Sequence, residues 1–369
     1  MAEPSEYELA AWRDIRQFKG RPLSAALRNA GEGVSIGAAA LGRRAATYLE
    51  NHPGAQSAVS RGRGIVAKGA STLGTGARKA ASVLPTSAAD WSGTALGSAQ
   101  RTVAKISRAG LSPKQVVKRH QKRGHDVTKL SDLRRLDLDQ IHAVRGRSMS
   151  WYYPATAAGS GMVAGLVISG GELVTAVSGG AAAAPSGGAI FGAFAGDAAV
   201  VLGLASRAVG HVSLLYGYDP EEPAEKLFVL SVVNAGTAIS TSAKSAALAD
   251  ISRLTQALVR GKTWKVLNES VVSRVAVKFT EAFGRDLTKK GLGKVVPVAG
   301  ILVGGTLNWT ILEGIVDTAD MVYRRRFLLD KYPQLRDEEP LEALVDDENA
   351  DDKFSVLDEL AEEGGPDLR

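Results

Sequence analysis

The chain has 369 residues, 45 Lys and Arg against 39 Asp and Glu, a net charge of +6, 41 glycines and no cysteine. Its length allows one large domain or two small ones around a sizeable core. The lack of cysteine excludes a disulfide framework, thiolate chemistry and a Cys-ligated zinc site, and it fits a reducing compartment.

The start, with Glu3, Glu6 and Glu8, lacks the basic region and apolar core of a secretory signal, so residence on the cytosolic side is expected. Glu6 to Lys19 places Tyr7, Ala11, Ile15 and Phe18 at helical spacing. Residues 1–110 read as a basic, Ala/Gly-rich helical region. Residues 20–110 are expected to be partly flexible, because alanine buries little area. Residues 51–150 carry 18 Lys and Arg against 5 Asp and Glu. Such a segment seeks a polyanion: nucleic acid, anionic headgroups or an acidic part of its own chain. The bland alternative is a solvated basic face.

Residues 111–333 read as a helical core. Ser112-Pro113 has the form of an N-cap followed by proline at the first helical position. Leu133, Leu136 and Gln140 share a side beside Leu130 and Ile141, with Ser131 as a candidate cap. Between Arg147 and Arg207 the only charges are Glu172 and Asp197. Here 155–171 and 189–216 are helix candidates, broken apart at Gly179-Gly180 and at 185–188. Gly161 and Gly165, then Gly188, Gly192 and Gly196, recur at the four-residue spacing that lets backbones approach closely. Uncharged stretches over 148–171, 173–196 and 295–312 approach the ~20 residues that span a bilayer. The last begins near Pro297, contains Gly300 and Gly304, and ends near Trp309. Yet mean hydropathy is −0.02 overall, which favours hairpins buried in protein or inserted shallowly. Between them, Leu227, Leu230, Val233 and Asn234 form one amphipathic face, and Leu248, Ile251, Leu254 and Leu258 another. The tail over 334–369 is acidic, with 14 Asp and Glu against 2 Lys and Arg after Arg336. Disorder is expected there, with room for a short amphipathic helix around Phe354, Val356, Leu357 and Leu360. The fold class is therefore all-α, a multi-helix bundle with Gly/Ala-rich apolar hairpins.

Chemistry is sparse. The five histidines form no HxxxH or HExxH pattern, no Walker loop is present, and neither a metal nor a cofactor is signalled. Glu313, Asp317, Asp320 and Arg324 fall on one helix face. They are candidates for cation binding or acid/base work, against the alternative of a polar stripe in which Arg324 neutralises Asp320 at i+4. Asp197, among Phe191, Phe194 and Val200, needs a cation or a proton. Arg207 and His211 are an i, i+4 pair. In the block Tyr216-Gly217-Tyr218-Asp219-Pro220-Glu221-Glu222, both Gly217 and Pro220 break a helix. Asp219 is expected to cap the next helix, with Pro220 at its first position, and Gly217 to adopt a backbone disfavoured for other residues. The two tyrosines would pack beneath this turn as a structural corner.

Several segments resemble the EcsC family of bacterial proteins: the block from Pro185 to Leu230 with Arg207-Ala208-Val209 and Tyr216-Gly217-Tyr218-Asp219, Glu6-Tyr7-Glu8 with Trp12, Leu130 to Leu138, Val296 to Gly300, and Tyr323 to Leu328. The resemblance spans most of residues 6–332. It implies an all-α protein near a membrane and no established activity. The family takes its name from a protein encoded beside an ABC transporter, so a membrane-protein partner is implied by association only. The first expectation is a non-enzymatic protein on the inner face of the cell membrane, peripheral or partly inserted, with its basic half facing anionic headgroups. The alternative is a hydrolytic or metal-assisted enzyme using Asp197 or the Glu313/Asp317/Asp320 face. Nucleic-acid binding ranks last, because the basic residues lack interleaved aromatics.

Overall fold

The computed structural model describes residues 3–17, 106–107, 110–145, 150, 152–158, 187–238, 241–259, 267, 269–292, 300–337 and 354–368. The expectations for residues 20–105, for the first apolar hairpin with Gly161 and Gly165, and for Pro297 lie outside them. Among the described residues the fold is all-α, without a strand. Its helices are α1 (Glu6–Arg16), α2 (Pro113–Gln121), α3 (Leu138–Arg145), α4 (Gly187–Leu215), α5 (Pro223–Thr237), α6 (Thr241–Val259), α7 (Glu269–Leu292), α8 (Gly300–Lys331) and α9 (Val356–Glu362), with 3-10 turns at Leu130–Arg135 and Pro333–Asp337.

At 1.5 Å per residue, α4 and α8 are each over about 40 Å long. They pack on each other, and α5 lies against both. Helix α5 is the hub, since it also touches α6, α7 and α9. Its apolar residues do not keep to one stripe: Leu227, Phe228, Val232 and Val233 are all fully buried. That all-round pattern is what a central helix requires. On α6, Ile251 and Leu254 face inward as their spacing predicts.

Helix α1 is fastened at both ends of its first turn. Ser5 and Glu8 form a reciprocal capping box. The same Glu8 carboxylate accepts from Lys331 Nζ at 2.9 Å and from the Tyr332 hydroxyl at 2.6 Å, at the end of α8. Burial would raise this carboxyl, but the hydrogen bonds from Tyr332, Ser5 and Lys331 outweigh it and hold it at about 2.

Two local readings differ from expectation. The 130–135 segment is a 3-10 turn, not part of an α-helix. Its cap is Asp132, whose carboxylate accepts from the backbone N–H groups of Thr128 and Lys129, both at 3.0 Å. Helix α5 starts at Pro223 with Glu222 at the N-cap. Asp219 instead closes the preceding turn by accepting from Glu221 N at 3.0 Å. Both prolines satisfy the first-position rule, and the chain uses the second. The short amphipathic helix for which the tail had room lies where its apolar residues fall: α9 buries Val356, Leu357 and Leu360 completely. Burial of each such side chain stabilises by about 1.5–3 kcal/mol, enough to dock seven residues despite their acidic surroundings. Lys278 pairs with Glu359 at 2.7 Å and Glu363 at 3.2 Å, and Asn234 donates to the Phe354 carbonyl at 2.8 Å.

One stretch of α4, Ala198–Leu215, is long and apolar enough to cross a membrane, but 78% of it is buried inside the fold. A core helix between α5, α7 and α8 has this composition for the same reason as a spanning one: neither meets water on any face.

Candidate functional site

The Tyr-Gly-Tyr-Asp block forms the corner between α4 and α5. Gly217 has φ +84°, and a Cβ there would meet the Leu130 carbonyl at 3.0 Å and Leu133 Cβ at 3.1 Å. A left-handed residue pressed against the 3-10 turn admits only glycine without strain. With the chain reversed here, Tyr216 and Tyr218 are both buried and reach opposite stretches of α8. The Tyr216 hydroxyl donates to Asp320 Oδ1 at 2.9 Å, and the Tyr218 hydroxyl to Asp330 Oδ2 at 2.6 Å.

Asp320 is the centre of the first cluster. It is paired with Arg324 one turn along α8 and with Arg145 at the end of α3. Burial alone would raise its carboxyl. The two guanidiniums and the Tyr216 hydroxyl outweigh that and hold it below its usual value. His142, also on α3, extends the cluster. Because the Tyr216 hydroxyl donates to Asp320, it must accept from His142 Nε2, 3.1 Å away. The neutral ring then offers Nδ1 as acceptor to the Tyr7 hydroxyl at 2.7 Å. A one-directional chain therefore runs from Tyr7, 47% exposed, through His142 and Tyr216 to Asp320. It can orient four groups, and it ends on a carboxylate already matched by two cations.

A second cluster lies on the far side of Tyr218. Arg326 donates to Glu225 Oε2 at 2.8 Å, and the Tyr323 hydroxyl to Glu225 Oε1 at 2.6 Å. The Arg326 guanidinium carbon sits 4.0 Å from the centre of the Tyr218 ring and 4.7 Å from that of Phe228. A third group surrounds His211, whose Nδ1 is 3.2 Å from the Tyr153 hydroxyl. Arg207 also bonds that hydroxyl, so the i, i+4 pair on α4 is joined through a tyrosine.

The remaining candidates are spread along the helices. Glu313 is buried and Asp317 half-buried on α8, each with contacts inside the fold. Among the described residues no group of three or more His, Asp and Glu is placed to hold a metal ion. Asp197 lies on α4 where side chains fall outside the described residues. Sequence reading missed Tyr7, His142, Arg145, Glu225, Tyr323, Arg326 and Asp330. The available signal was local: Asp320, Tyr323, Arg324 and Phe327 recur at three- and four-residue spacing on one helix, so one face of α8 mixes charges with aromatics. It also missed the turn that brings His120 and His125 within 2.9 Å through their Nδ1 atoms.

These buried imidazoles predict an acid-sensitive fold. Burial pushes His120, His142 and His211 each down to about 4 from about 6.5, helped by His125 and Arg123 at His120 and by three arginines at His211, and outweighing the opposing charge of Asp320 at His142. Between those values the unfolded chain binds protons that the folded chain refuses. Stability is thus fully present above about pH 6.5, is lost as pH falls toward about 4, and levels off below. At about 1.4 kcal/mol per unit for each buried group, the expected loss is several kcal/mol. Glu8 and Asp132, held at about 2, add their losses only below about pH 4.5. Urea titrations at pH 7, 5.5 and 4 check this, and a flat profile through that window would refute it.

No solved structure matches this chain. The uncharacterized protein YdbA of Bacillus subtilis (strain 168) is 28% identical over 139 residues, which cover 37% of this chain and 48% of that protein; the chain thus spans about half the length of the curated relative it matches. A family model described as the EcsC protein family matches residues 78–328, well over half of the sequence and both helices of the Tyr-Gly-Tyr-Asp corner, and the chain belongs to that family.

Proposed function

We propose that this protein is a non-enzymatic helical protein that lies on the anionic inner face of the cell membrane and meets it with its basic half. The observation that carries the reading is charge segregation. Residues 51–150 hold 18 Lys and Arg against 5 acids. In the described part of that segment, Lys114, Lys118, Arg119, Lys122 and Arg123 all stand exposed on and just past α2. Each Lys or Arg near an anionic surface contributes about 1 kcal/mol. Among the described residues the one helix apolar enough to span is largely used as core, which favours surface association over crossing by that helix. A membrane-protein partner, an ABC transporter by family association, would be met at the same surface.

The enzyme reading ranks second. A carboxylate that two guanidiniums keep ionised, as at Asp320, is a weak base and has no proton to give near neutrality. Asp197, Glu313 and Asp317 stay candidates for that reading.

Sedimentation with vesicles tests the proposal. The protein is expected to pellet with vesicles containing anionic lipid at low salt, to ignore pure phosphatidylcholine, and to be released near 1 M salt, where the screening length falls to about 3 Å. A protein that stays in the supernatant with anionic vesicles, monomeric without detergent, would overturn it.

A further inference from the structure

Helix α9 sits in a groove to which three helices contribute, and each of them reads a different part of it. Asn234 on α5 donates to the Phe354 carbonyl at 2.8 Å. Asp250 on α6 accepts from the Ser355 hydroxyl at 2.7 Å. That hydroxyl is also the N-cap, accepting from Asp358 N at 3.2 Å. At the far end, Arg274 on α7 pairs with the Glu363 carboxylate and donates from Nη2 to the Glu363 carbonyl at 2.9 Å. That carbonyl is one of those a helix end leaves unpaired. Between the ends Val356, Leu357 and Leu360 are buried, and Phe354 meets Phe279 of α7 with ring centres 5.4 Å apart. Lys278 on α7 lies among Glu359, Glu362 and Glu363, at 2.7, 3.4 and 3.2 Å.

Three features make α9 a ligand of this groove and not a part of its frame. It has seven helical residues, well below the ~12–15 at which an isolated helix becomes even marginal, so it is helical because it is docked. Residues 338–353 separate it from the 3-10 turn that follows α8. A chain of that length reaches on the order of 50 Å when extended, so the groove, and not the connection, sets where α9 lies. The family match ends at residue 328, so α9 lies beyond it while α5, α6 and α7 lie within it. A groove of the family core is thus filled by a segment from outside that core.

We propose that the groove of α5, α6 and α7 is a docking site for a short acidic amphipathic helix of a partner protein, with α9 as its tethered competitor. The helix it takes is the kind α9 displays: a hydroxyl cap as at Ser355, apolar anchors placed as Val356, Leu357 and Leu360, and acids placed as Glu359 and Glu363. A helix laid into a groove by such anchors is a recurrent mode of recognition. The anchors supply affinity. Lys278 and Arg274 select acids, and Arg274 fixes direction, because a cation is favoured at a helix C-terminus. The contacts to the Phe354 and Glu363 carbonyls and to the capping hydroxyl call for a polypeptide; a lipid surface offers anions but no helix ends. The site does not depend on the membrane reading above.

The test uses the full chain. In native-state hydrogen exchange the amides of α9 should exchange at least about a hundredfold faster than those of α5, through local opening. Exchange of α9 only in step with α5 would make it a brace and overturn the proposal. Leu357→Asp with Leu360→Asp, in the full chain, should vacate the groove. A labelled peptide of residues 352–366 is then expected to bind this variant saturably, and the parent chain at least about tenfold more weakly, because the tethered helix competes. Arg274→Glu with Lys278→Glu in the vacated chain should weaken the peptide about tenfold. A peptide carrying Glu359→Lys and Glu363→Lys should fail on the vacated chain and bind the charge-reversed one. Where the double leucine variant fails to fold, Glu359→Lys with Glu363→Lys in the chain's own α9 vacates the groove without placing a charge in the core. No saturable binding to a vacated chain, equal binding to the parent chain, or indifference to the charge reversals overturns the site. A parent chain that is a dimer by light scattering and becomes monomeric once α9 is disabled would assign the groove to a second copy and overturn the outside partner.

Discussion

Replacing Arg326 with alanine is expected to destabilise the fold by about 3–5 kcal/mol, the cost of leaving a buried charge without its partner. Arg326 and Glu225 are both nearly inaccessible, with side chains 7% and 3% exposed, and their contact is 2.8 Å. After the substitution Glu225 keeps one donor, the Tyr323 hydroxyl. Either it stays ionised in an apolar setting or it takes up a proton, and both cost free energy. The guanidinium also fills the space between the Tyr218 and Phe228 rings, so packing and cation–π attraction are lost with the charge. The double change Arg326→Met with Glu225→Gln removes both charges and keeps most of the volume. It should cost less than Arg326→Ala alone, because desolvating an ion pair consumes most of what its attraction returns. Urea unfolding of the variants in a double-mutant cycle measures both. A cost below about 1 kcal/mol for Arg326→Ala would mean that water reaches Glu225 and that this cluster does not brace the corner.

What could be read beforehand follows the range of each interaction. The inward face of α6 was visible because its period is local, whereas α5, expected to have one apolar face, is buried all round. The contact of Asp320 with Arg324 was visible for the same reason, as an i, i+4 pair. The contact of Asp320 with Arg145 joins residues 175 apart in sequence, and that of Glu8 with Lys331 joins residues 323 apart. No spacing rule reaches that far. In the sequence Glu8 stood only as one of three acids near the start; the fold turns it into a clamp between α1 and α8. The cap at Asp219 was misread because Pro220 and Pro223 satisfy the same local rule, and the choice between them is made where the tyrosines must reach α8. The last helix was legible in Phe354, Val356, Leu357 and Leu360, although the composition around it argues for disorder. Acids outnumber bases strongly after Arg336, yet docking needs only the few apolar residues on one face, and Lys278 and Arg274 answer the acids beside them.

The glycines of the apolar region drew attention as sites of close helix approach, but among the described residues the tightest crossing between long helices lies elsewhere, where α5 meets α8. A Cβ on Gly236 would lie 2.6 Å from Ile315 Cα and 2.7 Å from its Cγ1. From the other side, a Cβ on Gly314 would lie 3.2 Å from the Gly236 carbonyl oxygen. The obstacle at Gly236 is backbone, which no rotamer change can move. Two effects oppose each other in Gly236→Ala. Alanine favours the helix by about 1 kcal/mol. Overpacking at a rigid contact costs about 1–3 kcal/mol and can cost more. The second should win, because α8 is held against α4, α1 and the corner tyrosines and cannot shift without disturbing them. A net loss of about 2 kcal/mol is expected for Gly236→Ala, and a smaller one for Gly314→Ala, whose new methyl meets a single oxygen at a longer distance. Thermal and urea unfolding of the two variants check the order. Should Gly236→Ala melt higher than the parent chain, helix propensity would outweigh the contact, and the α5–α8 crossing would be looser than these distances imply.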